Sequence, residues 1–389
     1  MCYIGIDIGK FNHCFSCISS DGEVIITPTF FPNNRDGFSE FFSLIKPHVS
    51  KRHLIGLEAS GHYGDNLVRF LLDHDCSVTL INPLVTHNQA KKAIRKTKTD
   101  KTDSLLICNV LSSAKHTLLT KQMFLLSEAK QLTRYYATLT IDLNRYKNRL
   151  QKRIDLAFPE FNSLFKTKYS KPYMALLKRF GSAYNIANAR INSIKKAIPS
   201  SRGRSVSLDI VKLKELAKSS IGTNCPAVVL EIQQLIQSID LVEVQLAELQ
   251  KKIEELASNT QSPIFSITGI GLITGMTILS EIGDFNRFDS ADKIIAFAGL
   301  DPAVNQSGQF RADHTSISKR GSPSLRRALM LVTLPASRFN PTFKAYYKHK
   351  RAQGKSHRCA QGHLARKLCR IIFKLVRDNL SFDDSALPT

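Results

Sequence analysis

Four acids among the first 103 residues have the types and spacing that suit chemistry. Asp7 lies inside the apolar, glycine-flanked run GIDIG, and Glu58 ends a second apolar run, HLIGLE. Asp100 and Asp103 stand three residues apart in TKTDKTDSL, just before LLICNVL. An ionised carboxylate inside a strand is costly unless it is paired or bound to a metal. Gly5 and Gly9 leave room for something close to that backbone. On a helix, Asp100 and Asp103 share a face, and Asp103 also suits a position near an N-cap. Brought together, the four carboxylates offer hard oxygen ligands for one or two Mg²⁺ ions. Two such ions clamp the attacking and leaving oxygens of a phosphodiester. Taken singly, Asp100 and Asp103 read more readily as surface partners of lysine, and Glu58 as a strand-end turn residue. Their joint occurrence carries the metal reading.

The elements that must position these acids follow from periodicity. YIGIDIG, HCFSCIS and EVIITPTF read as three consecutive strands, with a turn at Ser20-Asp21-Gly22. A helix from about residue 37 to 46, the buried strand HLIGLEA, the helix YGDNLVRFLLDH and the strand CSVTLINP come next. Three adjacent antiparallel strands followed by alternating strands and helices resemble the α/β ribonuclease H-like (RuvC-like) topology. There the first strand is central, the fourth lies beside it, and a helix after the fifth covers their ends. Sugar-kinase and actin-like ATPases also open on a strand bearing Asp-x-Gly. They need a second glycine-rich phosphate loop, and the sequence offers no convincing one.

The chain carries 55 Lys and Arg against 32 acids, a net charge of +23, which implies a polyanionic partner. Lys91, Lys92, Arg95, Lys96, Lys98 and Lys101 surround the Asp100–Asp103 pair and suit a nucleic-acid backbone. From Lys319 to Arg377 there are sixteen Lys or Arg and no acid. Lys319, Arg320, Arg326 and Arg327 there are candidate phosphate binders, which position rather than specify. Tyr346 and Tyr347 suit either stacking on unpaired bases or core packing.

The chain divides by pattern into a catalytic α/β segment (1–158), a helical linker with a coiled coil (159–261), a mainly α segment (262–378) and a tail expected to lack order (379–389). Ile232, Leu235, Ile239, Val242, Leu246, Leu249, Ile253 and Leu256 form a heptad seam. It suits a dimerising coiled coil, the favoured use, or one arm of a hairpin with a helix over about 128–157. Gly269 and Gly271 in SITGIGLITG form a helix-hairpin-helix-like turn, able to offer N–H groups to a DNA phosphate, or a plain turn between helices. No apolar run is long enough to span a bilayer, and no leader is evident. Eight scattered cysteines suit free thiols in a reducing, cytoplasmic setting. Neither CFSC nor His357, Cys359, His363 and Cys369 has standard zinc spacing.

GIDIGK, GLEASGHYG, KTDKTD, TGIG, FAGLDP, QSG and ISKRGSPSLRR together resemble the bridge-RNA-guided insertion-sequence transposases. These have a DEDD, RuvC-like N-terminal domain and a C-terminal transposase domain. The resemblance spans nearly the whole chain. It implies that Asp7, Glu58, Asp100 and Asp103 are the metal ligands and that Ser307 is a nucleophile forming a covalent phosphoserine with DNA. It further implies donor and target DNA and a structured guide RNA as partners. A serine needs a base or a metal to become nucleophilic, and by local pattern alone Ser307-Gly308 reads as a turn. The expected activity is therefore DNA strand transfer through a 5′-phosphoserine, with Mg²⁺ as cofactor, in a dimer or tetramer. A RuvC-like nuclease without a covalent intermediate and a non-catalytic nucleic-acid scaffold are the alternatives.

Overall fold

The computed structural model describes residues 1–49, 52–58, 62–90, 100–113, 116, 118–199, 208–302, 306–307, 310–311 and 316–383, excepting the side chains of 84, 90, 100, 121–125, 306, 307, 310 and 311. Two compact units form. The first contains Met1–Glu128 and Ile282–Lys293, the second Ala129–Glu281 and Ile294–Thr389.

The first unit opens with an antiparallel meander, β1 (Cys2–Asp7), β2 (Asn12–Ser19) and β3 (Val24–Pro32). Then come α1 (Arg35–Val49), β4 (His53–Glu58), α2 (Asp65–Asp73), β5 (Val78–Ile81), α3 (Pro83–Ala90) and α4 (Asp100–Ser113). The sheet order is β3-β2-β1-β4-β5, with β4 parallel to β1 and β5 parallel to β4. The three leading strands and the two later ones lie where the hydrophobic runs predict them.

Both faces of this sheet are covered, and strand alternation decides what each face meets. Ile4, Ile6, Ile55 and Leu57 point into a core with Phe15, Phe31, Phe41, Leu67 and Leu71. Leu54 and Ile81 instead join Ile107, Val110 and Leu111 of α4. The alternate residues Gly5 and Gly56 pair in register on that second face. A Cβ at Gly5 would collide with the Ser104 carbonyl and stand 2.7 Å from the Cys108 nitrogen; one at Gly56 would stand 2.6 Å from Leu111 Cδ2. The two glycines thus make the flat bed on which α4 lies.

The second unit is helical. It takes up most of α5 (Lys121–Ala157), then α6 (Lys171–Phe180), α7 (Ala183–Asn188), α8 (Ile191–Ala197), α9 (Ile210–Lys218) and α10 (Pro226–Asn259). Among the described residues, the lysine-bearing stretch from Lys171 to Lys218 forms four short helices. They bury Tyr173, Leu176, Ile186, Ile194 and Leu213 with Leu150 and Ile154 of α5 and Ile232, Leu235 and Ile239 of α10. The heptad helix is the arm of an intramolecular hairpin. Lys147 bonds Glu243 at 2.8 Å and Arg153 bonds Glu231 at 2.7 Å, so α5 and α10 run antiparallel. Of the seam, Ile232, Leu235, Ile239, Val242 and Ile253 are buried, whereas Leu246, Leu249 and Leu256 are half-buried.

The chain continues through α11 (Leu272–Ile282), α12 (Ala291–Phe297), a two-residue hairpin of β6 (Gln306–Ser307) and β7 (Phe310–Arg311), α13 (Pro323–Phe339), α14 (Pro341–Ala352) and α15 (His357–Asp378). The tail is ordered further than its polarity suggests. The Phe382 N–H donates to Ser266 Oγ at 2.8 Å and its ring stacks on Phe343, because one aromatic in that tail finds an apolar seat. Among the described residues no helix is long and apolar enough to cross a membrane. All eight cysteines are free thiols.

Candidate active site

Asp7 and Glu58 are the next residues after Ile6 and Leu57, which pair across the parallel strands β1 and β4. Alternation puts both carboxylates on the face that carries α4, past Gly5 and Gly56. The first turn of α4 comes to the same end. Ser104 sits over Gly5, and its hydroxyl lies 2.6 Å from Ser16 Oγ. The Gly5 N–H donates to Cys108 Sγ at 3.0 Å, and that thiol donates to the Ser16 carbonyl. Burial pushes the Cys108 thiol up to about 12, so it stays a neutral fastener. Asp103 immediately precedes Ser104 and is half-buried. Asp100 is the first residue of α4, with its side chain outside the described set.

Thr86 of α3 was not evident from sequence. Its hydroxyl donates to Glu58 Oε2 at 2.8 Å and reaches the Pro83 carbonyl at 2.9 Å. One Glu58 oxygen is thereby oriented. Among the described residues no three His, Cys, Asp or Glu side chains converge closely enough to hold a metal ion. This includes the His357–Cys369 group and the CFSC pair. The donor set at the sheet end is nonetheless all oxygen, as Mg²⁺ requires. Lys101 is exposed on α4, while Lys91, Lys92, Arg95, Lys96 and Lys98 lie outside the described residues.

In the second unit, Ser307 is the last residue of β6 and pairs with Phe310 across a two-residue connection. Its side chain is outside the described set. The segments on either side are fastened to each other. Pro302 bridges Ile317, Ser318 N–H donates to the Asp301 carbonyl, Lys319 N–H to Gly299, and Ser322 N–H to Phe297. The Ser318 hydroxyl also donates to Asp301 Oδ1 at 2.5 Å. Gly321, at φ +106°, approaches the Phe297 carbonyl so closely that no Cβ fits. Lys319 holds a left-handed φ of +54°. Lys319 and Arg320 are exposed, and Arg327 is half-buried. Arg326 turns inward, its Nη1 donating to the Ala298 carbonyl at 3.0 Å.

The base of this clasp rests on a second residue not singled out from sequence, Glu281. Its side chain is fully buried, yet it accepts from Arg134 Nε at 2.6 Å and Nη2 at 3.0 Å. It also accepts from Ser322, the N-cap of α13, at 2.8 Å, and lies 3.8 Å from Lys130. Burial pushes its carboxyl up, but the hydrogen bonds from Arg134 and Ser322 and the nearby charges outweigh this and hold it below the usual range. It is the one charged residue in PIFSITGIGLITGMTILSEIG, the signal that would have found it. Gly269, at φ +100°, packs against the α13 backbone at Ala336, as a turn between helices requires. Gly271 meets nothing.

Residues 4–159 match the DEDD transposase model of IS110, and residues 261–348 match the transposase model of the IS116/IS110/IS902 family. The chain is 23% identical to an insertion element IS110 protein of Streptomyces coelicolor, covering 99% of this chain and 96% of that one. It is 28% identical to the pilin gene-inverting protein of Moraxella bovis, covering 98% and 97%. A solved Ppx/GppA family structure from Aquifex aeolicus aligns over 64% of this chain and 98% of that one at 14% identity. Its TM-score of 0.17 carries no weight for the fold.

Proposed function

The chain belongs to the IS116/IS110/IS902 family of transposases, enzymes of DNA recombination, and from that premise we propose that it cuts and rejoins DNA through a covalent 5′-phosphoserine at Ser307. The observation that carries the reading is the register of β1 and β4, with Asp7 and Glu58 as neighbours on the α4 face. The sheet order β3-β2-β1-β4-β5 supports a ribonuclease H-like (RuvC-like) first domain within 1–158. In this reading 159–261 is a helical spacer and 262–378 the serine-bearing domain.

Asp7, Glu58, Asp100 and Asp103 are the proposed holders of a divalent cation, Mg²⁺ by ligand hardness. When bound, it supplies a Lewis acid for a phosphodiester oxygen. The chain's own groups do the rest. Thr86 fixes one oxygen of Glu58. Lys319 and Arg320, exposed on a backbone-clamped turn, hold the scissile strand. The Ser307 oxygen bonds to phosphorus as the bond to the 3′ oxygen breaks. The serine proton leaves, and the 3′ oxygen departs as a hydroxyl after taking up a proton. Attack by a 3′-hydroxyl on the phosphoserine reverses the step, so the bond energy is kept and no ATP is consumed. The net charge of +23 supports a nucleic-acid complex, including the guide RNA that the family resemblance implies. The half-buried seam residues Leu246, Leu249 and Leu256 are the proposed contribution of α10 to an oligomer. The free thiols support a reducing, cytoplasmic setting.

The test is mass spectrometry of denatured reactions with Mg²⁺. A nucleotide adduct on the Ser307 peptide, lost in Ser307→Ala together with cutting, is the expected result. Full cutting by Ser307→Ala with no adduct would establish the metal-dependent nuclease instead. Absence of any Mg²⁺-dependent cutting, with binding unaltered in Asp7→Asn, would leave a scaffold.

A further inference from the structure

The helical pair α14–α15 gathers cations, and its one acid, Asp378, stands at the far end of α15 beside Arg377. Lys350 and Lys367 approach one ring from two helices, with ammonium nitrogens 5.5 and 4.5 Å from the Tyr346 centroid. On α15, Arg366 immediately precedes Lys367, and its Nη2 lies 3.0 Å from Nδ1 of His363, one turn earlier. Lys355, in the connection between the helices, is exposed, and its carbonyl accepts from Arg351 Nη1 at 2.8 Å. Lys350, His363, Arg366 and Lys367 are half-buried, so water screens them less than it would free side chains. Among the described residues none of these four cations, Lys350, Lys355, Arg366 and Lys367, has an acid at ion-pair distance.

Like charges held this way destabilise the free protein. Their effect falls on His363, whereas Lys367 responds to burial alone. Burial and then the charges of Arg366, Lys350 and Lys355 push the His363 imidazole down, and burial pushes the Lys367 ammonium down. A soluble surface would relieve such crowding with interspersed acids. Here there is none from Lys319 to Arg377. The ring under Lys350 and Lys367 offers partial compensation, but Tyr346 has one quadrupole for two ammonium groups.

The geometry points to a phosphodiester-binding site on α14–α15, formed by Lys350, Lys355, Arg366 and Lys367 around Tyr346 and His363, that grips a nucleic-acid backbone away from the reacting phosphate. Apart from Tyr346, these residues lie beyond residue 348, where the second matched segment ends. The ligand is a run of phosphates and not a base. The three lysine ammonium groups present point charges, and the exposed Gln353 amide beside them is already engaged, its Oε1 accepting from Lys350 Nζ at 3.1 Å and its Nε2 lying 2.9 Å from His349 Nε2. The site extends the proposed reaction but does not depend on Ser307.

The experiment measures fluorescence anisotropy of the full chain in a Ser307→Ala background. Probes are labelled duplex DNA, single-stranded DNA and an RNA hairpin, each over a range of salt. The variant is Lys350→Gln/Lys355→Gln/Lys367→Gln. The control is Lys195→Gln/Lys196→Gln/Lys212→Gln, three exposed lysines of α8 and α9 that change net charge equally. The expected result is a loss of about tenfold or more for at least one probe, with a salt slope shallower by about 2 to 3 for three lost phosphate contacts. The control loses less than about threefold, and a triple Lys→Arg variant binds as the parent does. The neutralised variant should also melt no lower than the parent, since crowding is relieved. Equal losses in variant and control, or no loss with any probe, would overturn the site. The probe that responds most identifies whether DNA or RNA is the occupant. Because Ser307 is absent throughout, failure of the covalent mechanism leaves this result standing, and the reverse holds too.

Discussion

Gly5 and Gly56 stand opposite each other on β1 and β4, and together they let the backbone of α4 rest on the sheet. The proposed meeting of Asp103 with Asp7 and Glu58 depends on that close approach. Gly5→Ala puts a methyl group against the Ser104 carbonyl and the Cys108 nitrogen, neither of which is a flexible side-chain end. The expected cost is at the upper end of about 1–3 kcal/mol, read as a lowered urea midpoint. Cutting should fall further than stability does, because α4 is displaced from the acids.

Thr86 offers a sharper probe of the acidic site, since it touches Glu58 without being a ligand candidate. Thr86→Val keeps the shape and removes the hydrogen bond. Loss of such an orienting partner lowers metal affinity by about 10–100-fold. The Mg²⁺ concentration giving half-maximal cutting should rise accordingly, with the rate largely restored at saturating Mg²⁺. A merely structural role would lower the rate at every Mg²⁺ concentration instead.

Glu281 predicts a pH signature. Its carboxyl in the folded chain lies below its ordinary 4.5. A depressed carboxylate stabilises the fold above its unfolded value, and that contribution is lost as pH falls through the folded one. Glu281→Gln should therefore be less stable than the parent at neutral pH. Arg134 is half-exposed and can turn to water, so the difference should be about 1–3 kcal/mol. The gap should narrow once pH falls below about 4.5, as followed by chemical denaturation at several pH values.

His363 predicts the opposite direction of proton flow. Burial, Arg366, Lys350 and Lys355 hold its imidazole below the ordinary 6.5, so it is neutral in the free protein near that pH. A bound phosphate backbone offsets those cations and raises the imidazole again. Binding should therefore take up a proton, and affinity should rise as pH falls through about 6.5. Calorimetry in two buffers of different ionisation enthalpy measures the uptake, which His363→Gln should abolish.

Much of the first unit was legible because strand patterning is local. The apolar runs around GIDIG and HLIGLE locate two strands, but that Asp7 and Glu58 share a face follows only from the register of β1 with β4. The glycines beside Asp7 read as room for a close neighbour, but only the fold shows that the neighbour is α4 at Gly5 and the Asn12 backbone at Gly9. The heptad in α10 is equally plain, yet a seam does not name its partner. Lys147 and Arg153 of α5 meet acids of α10, and that choice is long-range. Glu281 escaped notice although the argument that singled out Asp7 applies to it: a lone acid in an apolar run needs a partner. Thr86 gave no sequence signal, because a threonine on a short helix is ordinary until Glu58 is beside it.

The clasp around the Ser307 hairpin is closed chiefly by main-chain bonds, from Ser318 to Asp301, Lys319 to Gly299 and Ser322 to Phe297. Bonds of that kind are indifferent to side-chain identity and to the number of residues between their ends. The insert they enclose can therefore change in length on either side of Ser307, while the turn that presents Lys319 and Arg320 keeps its shape.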